Sequence, residues 1–250
     1  MENFRPAADE IHVSVTFTWD IKEGKRLAGA WRQYYPIVKL GGPAFSSPAE
    51  DFTPGLYVCD GVTFTTRGCN NCCPECLVPE REGSLRLLDI QPGYIIQDNN
   101  LLQAPRAHIN KVFAMLKKQR HAAVFAGGLD TTLIDDWVAD QFRGLRIKKA
   151  FMAADSVEAL APLRKAVARL QFLGRERLFC YVMIGSHGET IKDAEARLQE
   201  VYEVGCLPFA QLYQPADKPI KYSGAWKRLA KVWSRPALTK ARIRDGHDVR

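Results

Sequence analysis

The chain has 250 residues, 46% hydrophobic and 25% charged, with a formal net charge of +7. That length holds one large α/β domain with a full core, and the composition is that of an ordinary globular protein. No apolar run approaches the roughly 20 residues a membrane span needs, which argues against a membrane-embedded function.

Residues 11–45 read as a short α/β unit. Ile11 to Thr18 is β-branched and aromatic and suits a strand, Lys22 to Tyr35 carries helix formers, and Ile37 to Leu40 is a second strand ending at Gly41-Gly42. About 60 residues are too few for a complete nucleotide-binding fold, so this piece is expected to be an extension spanning 1–58. Ser46 to Gly55, with its prolines and acidic residues, reads as a linker.

Val62 to Thr66 is expected to be a strand that runs straight into a thiol-rich loop. Cys69, Cys72, Cys73 and Cys76 lie within eight residues, and Cys69, Cys73 and Cys76 alone spell C-x3-C-x2-C. Cys59, Cys180 and Cys206 are scattered singly. Disulfides are disfavoured, because the N-terminus MENFRPAADEIH has no apolar core of an export signal and the expected compartment is the reducing cytoplasm. Zinc normally draws its two ligand pairs from segments separated by a loop, whereas CNNC and CPEC abut. An iron–sulfur cluster accepts thiolates at short irregular spacings from one loop, and this reading is preferred over zinc and over structural thiols. Four cysteines usually ligate such a cluster; if only Cys69, Cys73 and Cys76 bind, one iron lacks a protein ligand and can hold a substrate.

Beyond the loop the chain alternates strand and helix. Tyr94 to Gln97 is the next strand, followed by a helix from Pro105 with Ile109, Val112, Phe113 and Leu116 on one face. Ala122 to Ala126 precedes a helix capped by Thr131 or Thr132, carrying Ile134, Trp137 and Val138 inward and stopping at Gly144. Ile147 to Met152 leads to a helix with Val157, Leu160, Leu163, Val167 and Leu170 inward, kinked or restarted at Pro162. Leu178 to Ile184 precedes a helix with Ile191, Ala194, Leu198 and Val201 on one face, ending at Gly205, and Leu207 to Tyr213 is the last strand. Successive strand starts at 94, 122, 147, 178 and 207 are 25 to 31 residues apart, the rhythm of parallel strands with helical crossovers. Six such strands predict an α/β fold that is a partial (β/α)6 barrel over 59–214, open on one side.

From Gln214 onward stand ten basic residues: Lys218, Lys221, Lys227, Arg228, Lys231, Arg235, Lys240, Arg242, Arg244 and Arg250. Only Asp217, Asp245 and Asp248 oppose them, so the basic helical tail of 215–250 carries the whole charge excess. A solvated terminal helix is the plainer reading of it, with nucleic acid as the alternative partner.

In parallel α/β folds the active site lies at the carboxyl ends of the strands. Those ends carry the cysteines, then Asp98, Asn99 and Asn100, then Gly127, Gly128 and Asp130, then Asp155. They continue with Gly185, Ser186, His187, Gly188 and Glu189, and close with Tyr213 and Gln214.

Arg67-Gly68-Cys69 followed by Cys73 and Cys76 resembles the cluster loop of the radical S-adenosylmethionine (radical SAM) superfamily. TTRGCNNCCPEC is similar to the SRGC-x3-C-x2-C form of its cobalamin-associated and methylthiotransferase-like branches. The resemblance covers about residues 60–214 and implies a partial barrel, a [4Fe–4S] cluster on Cys69, Cys73 and Cys76, and S-adenosylmethionine as co-substrate. It also implies an electron donor such as flavodoxin or ferredoxin and a 5′-deoxyadenosyl radical that abstracts hydrogen from the substrate. By position, Gln97, Asp98 and Asn99 correspond to the motif that accepts hydrogen bonds from the methionine ammonium. Gly127 and Gly128 look like the Gly-Gly-Glu motif but sit one strand later and lack the glutamate, reading as a turn for close backbone approach; Asp130 follows them. Asp155 is a candidate ribose contact. Met183 to Thr190 resembles the MIGxPGET motif, whose backbone, here at Ile184 and Gly185, contacts adenine. Two departures stand out: Glu75 occupies the position of an aromatic residue, and His187 replaces a proline. No cobalamin is expected, since no Asp-x-His-x-x-Gly motif is present.

Plainer roles exist for several of these residues. Asp98 to Asn100 suit a polar turn, Asp155 an N-cap before Ser156, Glu189 and Thr190 a helix start, and His187 a loop position. Cys72 reads as a bystander. The rival to the enzyme is a non-catalytic iron–sulfur or zinc protein that binds nucleic acid through the basic tail.

Overall fold

In the computed structural model, residues 5, 7–42, 44–45, 58–186, 188–215 and 219–244 are described. The linker at 46–55 and His187 fall outside that set. The chain divides into two compact units, Met1–Phe52 with Gln214–Ile220 and Thr53–Tyr213 with Lys221–Arg250. Among the described residues no helix is long and apolar enough to cross a membrane.

The first unit holds β1 (Ile11–Ser14), α1 (Ile21–Trp31) and β2 (Val38–Gly41), with the two strands parallel and Ile11 opposite Val38. The first strand and the helix are each shorter than the sequence suggested, because a single tight turn at Thr18–Asp20 precedes the helix. Gly24 costs helix propensity but lets α1 lie on Val15, whose Cγ2 would be 2.3 Å from a Cβ there.

The second unit contains β3 (Val62–Thr63), β4 (Thr66–Arg67), α2 (Val78–Glu82), β5 (Arg86–Leu87) and β6 (Ile95–Ile96). It continues with α3 (Arg106–Lys117), β7 (Ala123–Leu129), α4 (Asp136–Arg143), β8 (Ile147–Ala153) and α5 (Leu160–Leu170). It ends with β9 (Leu178–Ile184), α6 (Ile191–Val204), β10 (Leu207–Leu212), α7 (Gly224–Trp233) and α8 (Pro236–Arg244). Six strands form one parallel sheet in the order β3-β6-β7-β8-β9-β10. The molecule is therefore mixed α/β, with a sheet whose spatial order follows the chain order. The antiparallel pair β4–β5 is inserted after the first strand and carries the cysteine loop between its arms.

Strand alternation sorts the two sheet faces. In β9, Leu178, Cys180, Val182 and Ile184 join the main core with the helices, while Phe179 and Tyr181 join a smaller aromatic cluster. In that smaller cluster Phe151 stacks on Phe179 and Tyr181 at 4.8 and 4.7 Å, and the Tyr181 hydroxyl donates to Ala126 O at 2.8 Å. Phe113, Phe125 and Phe142 lock α3, β7 and α4 together in the main core.

Several local expectations are corrected. The run Val62 to Thr66 is split into β3 and β4 rather than forming one strand. The helix after β7 is capped by Asp135, whose side chain accepts from Val138 N, while Thr131–Leu133 form a separate turn capped by Asp130. Helix α5 begins at Leu160, so Pro162 lies in its first turn, where a missing N–H costs nothing, and Val157 is exposed.

Candidate functional site

The cysteine loop leaves β4 and is pinned from beneath. Asp98, 1% exposed, follows β6, and its Oδ1 accepts from Thr65 N at 2.6 Å. Its Oδ2 accepts from Thr65 Oγ1 at 2.5 Å and Thr66 Oγ1 at 3.0 Å. Burial pushes the Asp98 carboxyl above its ordinary value, and these donors pull against that shift. His108 Nε2 lies 3.0 Å from Thr65 O on the same buried rung. The Asp98 carboxylate is therefore occupied by the strand that leads to the cysteines. Gly127 lies flush on it: a Cβ there would come within 1.9 Å of Asp98 O, so the close approach is between strands. Gly128, at φ +104°, faces open space instead.

A second layer clamps the loop from the side. Asn99 Oδ1 accepts from Gly68 N at 3.1 Å, and Gln103 Oε1 accepts from Asn70 N at 2.8 Å. Gln103 Nε2 returns a bond to Asn71 Oδ1 at 2.8 Å, and Asn71 Nδ2 donates to Asp130 Oδ2 at 2.8 Å. Asn100 Nδ2 lies 3.3 Å from Asp130 Oδ2 and 3.8 Å from Cys69 Sγ. Burial would raise Asp130, but hydrogen bonds from Thr132, Asn71 and Asn100 outweigh it and hold the carboxyl below its ordinary value. Asn100 is 5% exposed, and its Oδ1 is buried without a hydrogen-bond partner among the described residues. The bond to Asp130 fixes the amide orientation, leaving that oxygen as an unused acceptor beside Cys69.

All seven cysteines are free. The thiols of Cys73 and Cys76 are pushed up, first by burial and then by nearby negative charge. Cys73 feels Cys76, Cys69, Asp155 and Asp130; Cys76 feels Cys69, Asp155 and Glu82, while the Val78 N–H bonds to it. Among the described residues no group of three or more His, Cys, Asp or Glu side chains is placed to hold a single metal ion.

Asp155, after β8, reaches solvent but is partly desolvated by the protein around it. That desolvation pushes its carboxyl up, opposed by a bond from Met183 N at 2.7 Å and the charge of Arg197, and reinforced by Glu75. It bridges β8 to β9 and does not cap α5. Arg197, 7% exposed, reaches back from α6 to Ala154 O at 3.2 Å, Met183 O at 2.8 Å and Glu189 Oε1 at 2.6 Å. Glu189 in turn accepts from Gly185 N at 2.8 Å. Ile184 O accepts from Tyr213 N at 2.9 Å, and Gly185 O lies 3.0 Å from the Tyr222 hydroxyl. The Gly185 amide and both carbonyls at 184–185 are thus engaged within the fold. Thr190 caps α6 as its sequence suggested. Gln97 is exposed, and its N–H is held by Thr63 O at 3.0 Å.

Cys69, Cys73, Asp130 and Asp155 therefore gather at the carboxyl edge of the sheet, while Asp98 supports them from below. Arg197 and Tyr222 were not anticipated. Arg197 left one signal, a charge at the i+3 position of the apolar stripe Ala194, Leu198, Val201. No protein-family model matches the chain, and no curated protein is significantly similar to it.

The thiols divide by exposure, which gives a direct check. In the unfolded-free, reduced chain at pH 8, a thiol-specific reagent is expected to modify Cys59, Cys69, Cys72, Cys73 and Cys76 and to spare Cys180 and Cys206. Both spared residues are fully buried, and burial pushes Cys206 up to about 12, leaving almost no thiolate. Peptide mapping after labelling reads the result, and modification of Cys206 before unfolding would contradict it.

Proposed function

We propose that the chain is a radical SAM enzyme, with the sheet as the wall of a partial (β/α)6 barrel and a [4Fe–4S] cluster held by Cys69, Cys73 and Cys76. The observation that carries the reading is how the cysteine loop is held at the carboxyl ends of the strands. Asn99 accepts from Gly68 N, Asp130 accepts from Asn71 in the loop, and Asn100 lies 3.8 Å from Cys69 Sγ.

The donor set fits such a group. Negative neighbours are poor surroundings for a nucleophilic thiolate, which needs cations beside it. A bound metal reverses the sign, because its charge deprotonates coordinating thiols outright. Hydrogen bonds from Asn71 N and Asn100 Nδ2 to Cys69 Sγ, at 3.4 and 3.8 Å, are of the kind that tune cluster sulfurs. When bound, the cluster supplies an open iron for the amino and carboxylate groups of S-adenosylmethionine and the electron, drawn from flavodoxin or ferredoxin, that cleaves it to a hydrogen-abstracting 5′-deoxyadenosyl radical.

The chain's own residues bind and orient. Asn100 Oδ1 is a buried acceptor for an ammonium donor, and Asp130, holding its carboxylate charged, adds the counter-charge. Asp155, after β8, and Gly128, near the end of β7, would face the nucleoside. Asp98 keeps the loop in register. The reading assigns the protein to the reducing cytoplasm.

Anaerobic reconstitution tests it. The expected product carries about four irons with matching sulfide, and releases 5′-deoxyadenosine from S-adenosylmethionine only when reductant is added. One zinc and no adenosine product would replace the enzyme with a non-catalytic metal protein.

A further inference from the structure

The segment 221–244 contains eight lysines and arginines and no carboxylate. Lys240 pairs with Glu176 at 2.7 Å, and Arg242 pairs with Glu195. Lys221, Lys227, Arg228, Lys231 and Arg235 are all exposed, and no carboxylate pairs with them among the described residues. Lys227 and Arg228 stand i+4 and i+3 from Lys231, so the three share one face of α7, with Lys227 and Lys231 about 6 Å apart along the axis. Like charges at this spacing repel, and the field they make is complementary to a polyanion.

The opposite face of α7 is already used. Leu229 and Trp233, 6% and 1% exposed, are buried in the core. A helix that binds a lipid surface needs its apolar side for the interface, whereas a phosphate backbone needs only the cations. The occupant this favours is nucleic acid. The helix also starts at the site. Tyr222, two residues before α7, has its hydroxyl 3.0 Å from Gly185 O and 2.8 Å from Tyr213 O, at the carboxyl ends of β9 and β10. A Cβ on Gly185 would meet the Tyr222 ring at 2.7 Å, so the two are in tight contact. Cys73, Asp130 and Asp155 gather at that same edge of the sheet.

We infer that the basic face of α7 holds the backbone of a single-stranded nucleic acid and delivers one of its nucleotides to the strand-end site. A single strand is favoured because a base inside a duplex must first be flipped out of the stack, at a cost, before chemistry can reach it. The delivery rests on the radical SAM reading; the binding face stands on its own.

Fluorescence anisotropy of labelled 20-nucleotide RNA and DNA strands with the full chain, loaded and unloaded, tests the face. The triple variant Lys227→Ala, Arg228→Ala, Lys231→Ala is expected to bind at least about tenfold more weakly and to lose about two units from the salt slope, given roughly 0.7 per phosphate contact on single strands. Its thermal melting and reductant-dependent 5′-deoxyadenosine formation are expected to match those of the unsubstituted chain. Unchanged affinity in the triple variant overturns the proposal, as does binding to phosphatidylserine vesicles with none to either strand. Absence of strand binding beside normal adenosine formation would sink the binding face alone. Binding that needs α7, with no adenosine formation, would sink the radical reading and leave the face in place. A preference for RNA or for DNA identifies the substrate class.

Discussion

Replacing Asp98 by alanine is expected to destabilise the chain by at least about 3 kcal/mol and to abolish iron loading together with it. The carboxylate is the acceptor for Thr65 N, Thr65 Oγ1 and Thr66 Oγ1, and both threonines are fully buried. Removing it leaves three donors without water or partner, each worth about 1–3 kcal/mol. For a chain of this size about 2–4 °C of melting temperature follows each kcal/mol, so a fall on the order of 6–12 °C is expected. The loop that begins three residues after Thr66 then loses its register, and the thiols lose their common centre. Asp98→Asn keeps the volume and one acceptor, and threonine hydroxyls can turn to accept its amide, so a smaller loss is expected. The alternative role, acceptor for the methionine ammonium, makes the opposite forecast. There Asp98→Ala would melt normally, load iron, and weaken only S-adenosylmethionine binding. Calorimetry and iron analysis on the same preparation separate the two.

The difference between what the sequence disclosed and what it hid follows the distance over which residues act. Strand β9 and helix α6 were legible because their signals are local: an unbroken apolar run of strand length, Thr190 accepting from Asp193 N, and Gly205 at φ +113° closing the helix. The split of Val62 to Thr66 was not legible, since the Thr65 amide is taken by a carboxylate 33 residues away. Asp155 reads locally as a helix cap, yet it accepts from Met183 N, 28 residues on, and leaves α5 uncapped by any side chain. Asp135 and Asp130 outcompete the threonines as caps, which composition alone does not decide. The cysteine spacing was plain from the start. That Asn100, Gln103 and Asp130 would hold the loop depends on how β6 and β7 lie beside β3, and no local pattern carries that.

Four alanine variants of the loop are expected to divide three to one. Cys69→Ala, Cys73→Ala and Cys76→Ala should each lose nearly all iron after anaerobic reconstitution, whereas Cys72→Ala should keep about four irons and its adenosine activity. The division has a physical basis beyond spacing. Cys69 Sγ is bonded by Asn71 N at 3.4 Å and faces Asn100 Nδ2, and Cys76 is bonded by the Val78 N–H, so both sulfurs sit in prepared surroundings. Cys73 lies within the fields of both, and burial, then nearby negative charge, pushes the Cys73 and Cys76 thiols up. Removing any one of the three leaves two anionic ligands, too few to hold a cubane against exchange with solvent. Equal iron loss in all four variants would mean that Cys72 is a ligand too. The open iron, and with it the site for S-adenosylmethionine, would then disappear from the scheme.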